Sequence, residues 1–139
     1  MHKLGNTTRR VRNSPIASAD RLRNALLDEE FALTRDKSYA LLIIVTALPA
    51  AGRTEAINRL LDWLDPKHVI TRAWGERSDE EKARPRFWRY WNALPRKGQI
   101  AIWFDGWYGD LLQALLDDKA GAGALGRAIA RQETQLSAD

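Results

Sequence analysis

Hydrophobic positions along this chain recur with two different periods, and the two alternate. Leu22, Leu26 and Leu33, flanked by Ala25 and Ala32, fall on one face of a 3.6-residue repeat. They predict an amphipathic helix over residues 20–36, with Ser18 or Asp20 as its cap. Residues 39–45 then form an unbroken apolar run ending in Ile43, Ile44 and Val45, as expected of a strand buried on both faces of a parallel sheet. A loop over residues 46–53 carries Pro49 and Gly52. Ile57, Leu60, Leu61 and Leu64 predict a second helix over residues 54–64, and Asp65 followed by Pro66 ends it.

The alternation continues. Residues 68–74 predict a second strand. Ser78 with Glu81 three positions on is a capping box, opening a helix that Pro85 interrupts or restarts. Phe87, Tyr90, Trp91 and Leu94 supply its apolar stripe. A turn over residues 95–98 leads into a third strand at residues 100–104. Two weaker helices, over residues 110–116 and 124–135, are separated by Gly121 and Gly123. Strands alternating with helices imply right-handed βαβ units on a parallel sheet. Three strands make a thin sheet, so an incomplete domain or an obligate oligomer is expected.

Composition narrows the function classes. The chain has 139 residues and no cysteine, and His2 and His68 are its two histidines. Disulfides and thiolate metal sites are therefore excluded, and a zinc site or a Cys/His or Ser/His/Asp nucleophile set has too few ligands to assemble. No apolar run approaches the roughly 18 residues of a membrane helix, and the basic N-terminus lacks the apolar segment of a secretory signal. A cytoplasmic protein without a membrane partner is expected. The net charge of +4 is unevenly placed. Residues 1–24 hold Lys3, Arg9, Arg10, Arg12, Arg21 and Arg23 against Asp20 alone, a local +5 that leaves about −1 for the rest. Residues 1–18 read as a disordered basic arm and residues 19–139 as the folded domain.

Six tryptophans are many for this length. Trp63, Trp88 and Trp91 fall on predicted helices, and Trp74, Trp103 and Trp107 at strands or strand ends. Core packing accounts for most of them; nucleobase stacking on Trp74 or Trp107 is the functional alternative, because ligands bind beyond strand C-termini in such sheets.

The stretch after the first strand has the layout of a phosphate-binding loop. Ala47 stands where a first glycine turns the chain, and Gly52, Arg53 and Thr54 imitate glycine, lysine and threonine. An ordinary strand-to-helix turn built on Gly52 accounts for these residues equally well.

Distributed motifs change that balance. The loop, with Leu64, Asp65 and Pro66, then Thr71 to Trp74, Ser78 to Glu81, Phe87-Trp88-Arg89-Tyr90-Trp91, Ala93-Leu94-Pro95 and Trp107-Tyr108, resembles the type-2 polyphosphate kinase family, and within it the amino-terminal half of the duplicated phosphotransferases. The resemblance implies a P-loop kinase-like three-layer αβα fold with a parallel sheet. It also implies phosphate movement between polyphosphate and AMP or ADP, with Mg2+ as cofactor. It further implies another central strand and lid helices beyond the last helix, so the domain is expected to be incomplete at its C-terminus. The partners implied are polyphosphate and AMP/ADP, with a homo-oligomer or a catalytic half as protein partner; nucleic acid is not expected.

Carried over residue by residue, the family's site maps onto Ala51, Gly52, Arg53, Thr54 and Arg89 for phosphate or nucleotide, with Arg53 and Asp105 as catalytic residues and Asp105 as the metal ligand; Arg89, one face away from Phe87 and Tyr90, reads equally well as a salt-bridge partner. Several positions depart from the family pattern. Pro49 replaces an acidic residue, Arg53 a lysine, and Thr54 a glycine. Phe104 takes the acidic position after the third strand, leaving Asp105 one residue late. A planar guanidinium does not reproduce lysine's point charge, and proline removes a backbone donor. One step along a strand points a side chain to the other face, so Asp105 serves only if a local distortion re-aims it. The expectation is a degenerate domain, weakly active or non-catalytic alone, that binds polyphosphate or nucleotide or packs against a catalytic half. An active phosphotransferase and a structural remnant without ligand are the alternatives.

Overall fold

The two faces of one strand separate two layers of helices. The computed structural model describes residues 15–48 and 50–138, with side chains from Ser18 onward. Its elements run α1 (Pro15–Asp36), β1 (Leu41–Val45), α2 (Arg53–Trp63), β2 (Val69–Ala73), α3 (Asp79–Lys82), α4 (Trp88–Trp91), β3 (Ile100–Phe104), α5 (Gly106–Leu116) and α6 (Ala122–Ala138). The expected basic arm falls largely on residues 1–14, and these lie outside the described residues, as does Pro49.

All three strands are parallel, in the order β1-β3-β2. Ile100 pairs with Leu41 and Val69 at one end, and Phe104 with Val45 and Ala73 at the other. Period-two alternation then sorts the side chains. Ile100 and Ile102 face one way, joining Leu33 of α1 and Ile57 and Leu64 around α2, with Ile43, Val45 and Phe104 at the margin. Ala101 and Trp103 face the other way, joining Tyr90, Trp107, Leu125 and Ile129 from α4, α5 and α6, with Leu42 and Ile44 beside them. The parallel sheet is the one the alternating pattern implied, and the three-layer αβα arrangement is the one the family resemblance implied.

Most elements stand where the hydrophobic pattern puts them, and the capping box at Ser78 and Glu81 forms in both directions. Three expectations need correction. The first helix begins at Pro15, five residues before residue 20; proline is suited to an opening turn, where its missing N–H has no intrahelical acceptor. The helix expected at residue 110 begins at Gly106, so Trp107 lies in its first turn. Trp91 is 45% exposed, leaving Tyr90, 1% exposed, as the buried ring of that short helix.

Candidate phosphate site at the carboxyl end of the sheet

The site is built by the way the chain leaves β1 and β3. β3 ends at Phe104, and the next residue, Asp105, has φ 74 and ψ −59. That is the strained γ-turn region, which costs a non-glycine residue on the order of 1–3 kcal/mol. Three contacts hold it there. The Asp105 amide donates to the Val45 carbonyl at 3.0 Å, and its carbonyl accepts from Thr46 Oγ1 at 2.9 Å and from the Gly109 amide at 3.0 Å. Gly109 is required, because a Cβ there would lie 2.5 Å from Asp105 Cβ. The left-handed turn aims the Asp105 carboxylate at Arg53, the first residue of α2, whose guanidinium donates to Asp105 Oδ1 in an ion pair. Arg53 also lies 5.8 Å over the Phe104 ring.

The turn into α2 is left-handed as well, with Ala50 at φ 63 and Gly52 at φ 79. Ala51, Gly52 and Thr54 are exposed on it. Glu55, in the first helical turn, has its Oε2 3.9 Å from where a Cβ on Gly52 would stand. A carboxylate at that position complements the helix dipole and competes with any anion offered to the same N-terminus.

Between these turns lies a cleft of about 580 Å3, lined by Ala47, Arg53, Trp74, Glu76, Asp105 and Asp110 among others. One arginine thus faces three carboxylates. Tyr90 forms part of the wall, its hydroxyl donating to the Gly106 carbonyl at 3.1 Å and lying 3.4 Å from Asp110 Oδ2. Burial, reinforced by Asp110, holds its phenol well above the ordinary tyrosine range.

The structure brings Arg53, Asp105 and Ala47 to one cleft and places Ala51, Gly52 and Thr54 on the exposed turn beside it. Arg89 is occupied elsewhere. Its Nη1 donates to the Gly75 carbonyl at 3.0 Å, its Nε stands 3.4 Å from Glu81 Oε1 without a hydrogen-bonding angle, and its guanidinium covers Trp74 at 4.8 Å. Trp107 is no stacking platform. It is 2% exposed, and its Nε1 donates to Glu133 at 3.1 Å. Trp74 does line the cleft, with its indole nitrogen buried and unpartnered.

The chain that builds this cleft is similar to known proteins over most of its length. The family described as polyphosphate kinase 2 matches residues 15–133. The chain belongs to the polyphosphate kinase 2 family. It is 32% identical over 117 residues to a polyphosphate:AMP phosphotransferase of Pseudomonas syringae pv. tomato, a match covering 84% of this chain and 24% of that protein. A polyphosphate:AMP phosphotransferase of Pseudomonas aeruginosa is 34% identical over 78% of this chain and 22% of its own length. A solved polyphosphate kinase 2 structure from Pseudomonas aeruginosa superposes with a TM-score of 0.81 at 31% identity, covering 88% of this chain and 27% of the other. One from Arthrobacter aurescens superposes at 0.66 with 25% identity, covering 90% and 48%. This chain therefore spans about a quarter of the length of the curated relatives it matches.

Among polyphosphate kinase 2 features, a magnesium site can be tested on the donor set itself. No cluster of three or more metal-ligating side chains occurs among the described residues. Magnesium does not need one, since it is usually held by one or two carboxylates plus substrate phosphate. Asp105 and Asp110, in one cleft, meet that requirement. Asp105 is among the residues the family pattern singles out; Asp110, Glu76 and Tyr90 are not legible from sequence as cleft residues, because their place there depends on the early start of α5 and on the loop after β2.

Proposed function

We propose that this polyphosphate kinase 2 domain binds the phosphates of polyphosphate or of AMP/ADP in the cleft beyond β1 and β3, and transfers phosphate weakly or not at all by itself. The observation that carries this reading is the Arg53–Asp105 ion pair. The cation best placed to meet a phosphate is already engaged by the carboxylate best placed to meet a metal. Both side chains are about one-third exposed, 32% and 29%, so the pair contributes at most about 1 kcal/mol. A phosphate dianion, which makes charge-assisted bonds to arginine, can displace it.

Phosphoryl transfer depends mainly on positioning and charge neutralisation. Arg53 would cradle the entering phosphate and Asp105, released, would turn to magnesium with Asp110 beside it. Magnesium when bound supplies the positive charge that a cleft with three carboxylates and one arginine lacks. The loss of a lysine point charge and the exposure of Thr54 both argue for poor positioning of the transferred group.

The test is ADP formation from AMP and polyphosphate with magnesium, alongside polyphosphate-dependent thermal stabilisation. A ligand at a hundredfold excess over its dissociation constant stabilises by about 2.7 kcal/mol. Stabilisation with marginal turnover is the expected pair of results. Sustained turnover that disappears in Arg53→Ala identifies a competent enzyme instead, and no stabilisation at all identifies a structural remnant.

Association with a catalytic half or a second copy is a further reading, favoured by the sheet itself. Among the described residues β1 and β2 each pair on one side only, and Leu41 and Ile70 on them are 36% and 47% exposed. Sedimentation at micromolar concentration checks it: a mass well above 15.8 kDa supports association.

A further inference from the structure

The opposite end of the sheet carries a second concentration of charge, with the reverse sign. A pocket of about 420 Å3 opens where all three strands begin, lined by Thr34, Lys37, His68, Arg96, Lys97 and Gln99, with Gly98 at its floor. Three cations and an imidazole converge there, and among the described residues no aspartate or glutamate lines the pocket. Lys37, Arg96 and Lys97 form no ion pair with a carboxylate among the described residues. This is unexpected in a chain whose residues beyond position 24 sum to about −1.

The cations are held together by backbone. Lys37 has φ 52, and its amide donates to the Leu33 carbonyl at 2.9 Å. The Gly98 amide donates to the Tyr39 carbonyl at 2.8 Å, joining the turn before β3 to the segment before β1. That turn is closed by the Gln99 amide on the Arg96 carbonyl and by the Arg96 amide on Gln99 Oε1, both at 2.9 Å. Gly98 is buried at φ 88, and a Cβ on it would stand 2.7 Å from Lys37 Cγ. The lysine stem therefore lies directly on the Arg96–Gln99 turn. Fixing like charges side by side raises their mutual repulsion, which a multivalent anion relieves.

We infer that this pocket binds a short chain of linked phosphates, without a metal ion. Convergent cations and the absence of lining carboxylates favour a polyanion that brings no divalent counter-ion, in contrast to the cleft at the other end. Among the described residues the lining holds no Phe, Tyr or Trp, so it lacks the stacking platform by which single-stranded nucleic acid is held. Five strand residues at about 3.3 Å each put the two ends roughly 16 Å apart, so the pocket is separate from the cleft of Arg53 and Asp105. It does not depend on that cleft being competent.

Calorimetric titration of the whole chain with tripolyphosphate, in EDTA and about 0.1 M salt, tests this. Saturable binding is expected, weaker for orthophosphate because a single phosphate reaches fewer of the cations. Charge reversal in Arg96→Glu/Lys97→Glu should weaken it at least about tenfold, with Lys97→Glu alone giving a smaller loss if the double variant unfolds. Amide shifts induced by the ligand should centre on Lys37 and Gly98. Absence of saturable binding in EDTA, or binding unchanged in both charge-reversed variants because residues 1–24 carry it, overturns the inference. Ligand-induced amide shifts at Lys37 and Gly98 report this pocket and shifts at Gly52 and Arg53 the cleft; shifts confined to the cleft overturn the inference, so failure of the one site and failure of the other are read separately.

Discussion

Arg53 and Asp105 lie 52 positions apart in the chain and are joined side chain to side chain across the carboxyl end of the sheet. Each reaches the other because a chain turn directs it: the left-handed Gly52 opens α2 with Arg53, and the γ-turn at Asp105 swings a residue that follows a strand toward its neighbour.

Removing the partner charge while keeping its shape should free the arginine. In Asp105→Asn, made in the Arg96→Glu/Lys97→Glu background so that the cleft alone is read, affinity for tripolyphosphate measured by calorimetry without metal is expected to rise by up to about fivefold, the equivalent of the at most about 1 kcal/mol a pair one-third exposed supplies. Magnesium-dependent binding should fall in the same variant. Unchanged affinity in both conditions would show that the two side chains act independently.

Glu55 sets a second limit on anions at the α2 N-terminus. Glu55→Gln removes a negative charge beside Gly52 and should strengthen phosphate binding about two- to fivefold, matching the 0.3–1 kcal/mol of a charge at a helix end. The same change should lower the thermal midpoint slightly, since the carboxylate also steadies the helix. A gain in both quantities contradicts this assignment.

Alkaline pH should loosen the layer of α5 and α6. The Tyr108 phenol, whose ordinary value is 10.0, is pushed up to about 12, chiefly by the hydrogen bond it donates to Glu133 and then by burial. Its neutral form is thus favoured by folding. That contribution is fully present below pH 10 and is lost as pH rises toward 12. Tyr90 acts in the same direction through its burial. Urea midpoints measured from pH 8 to 11.5 should fall less steeply for Tyr108→Phe than for the parent chain; parallel curves count against the linkage.

Glu30 is the least expected residue of the interior. It is 2% exposed, and its Oε2 accepts from the Asp65 amide at 2.9 Å, fixing α1 to the chain leaving α2. Glu30→Ala strands that amide and should cost about 1–3 kcal/mol in urea unfolding. A loss below about 0.5 kcal/mol would mean that water replaces the carboxylate.

What sequence could show depended on how local each cause is. β3 was legible from Ile100 to Phe104 because its two faces and its flanking turn are written in adjacent residues. Ser78 and Glu81 likewise specify their own cap. The start of α5 was not legible, because the γ-turn at Asp105 is held by Val45 and Thr46, about sixty positions away. Trp107 was therefore placed at a strand end when it sits in a helix and in the core. Glu30 falls on the apolar face of α1, four residues after Leu26 and three before Leu33, but the amide that satisfies it, at Asp65, is 35 positions away. Within the candidate site, Arg53 and Asp105 were named from sequence, but their direct pairing was not. For Arg89 the salt-bridge reading is the one the structure favours, with Glu81 and Trp74 as the partners the sequence left unnamed.

The aromatic cluster behind β3 gives this protein a built-in optical gauge. Trp103 and Trp107 are buried with ring centres 5.6 Å apart and planes at 82°, and Trp74 meets Trp103 at 5.0 Å. Indoles fixed so closely at such angles couple their transitions, so the ellipticity they share vanishes when side-chain packing melts, even where helices persist. Near-ultraviolet circular dichroism therefore reports on the layer against which α5 is set, and through α5 on the turn that directs Asp105.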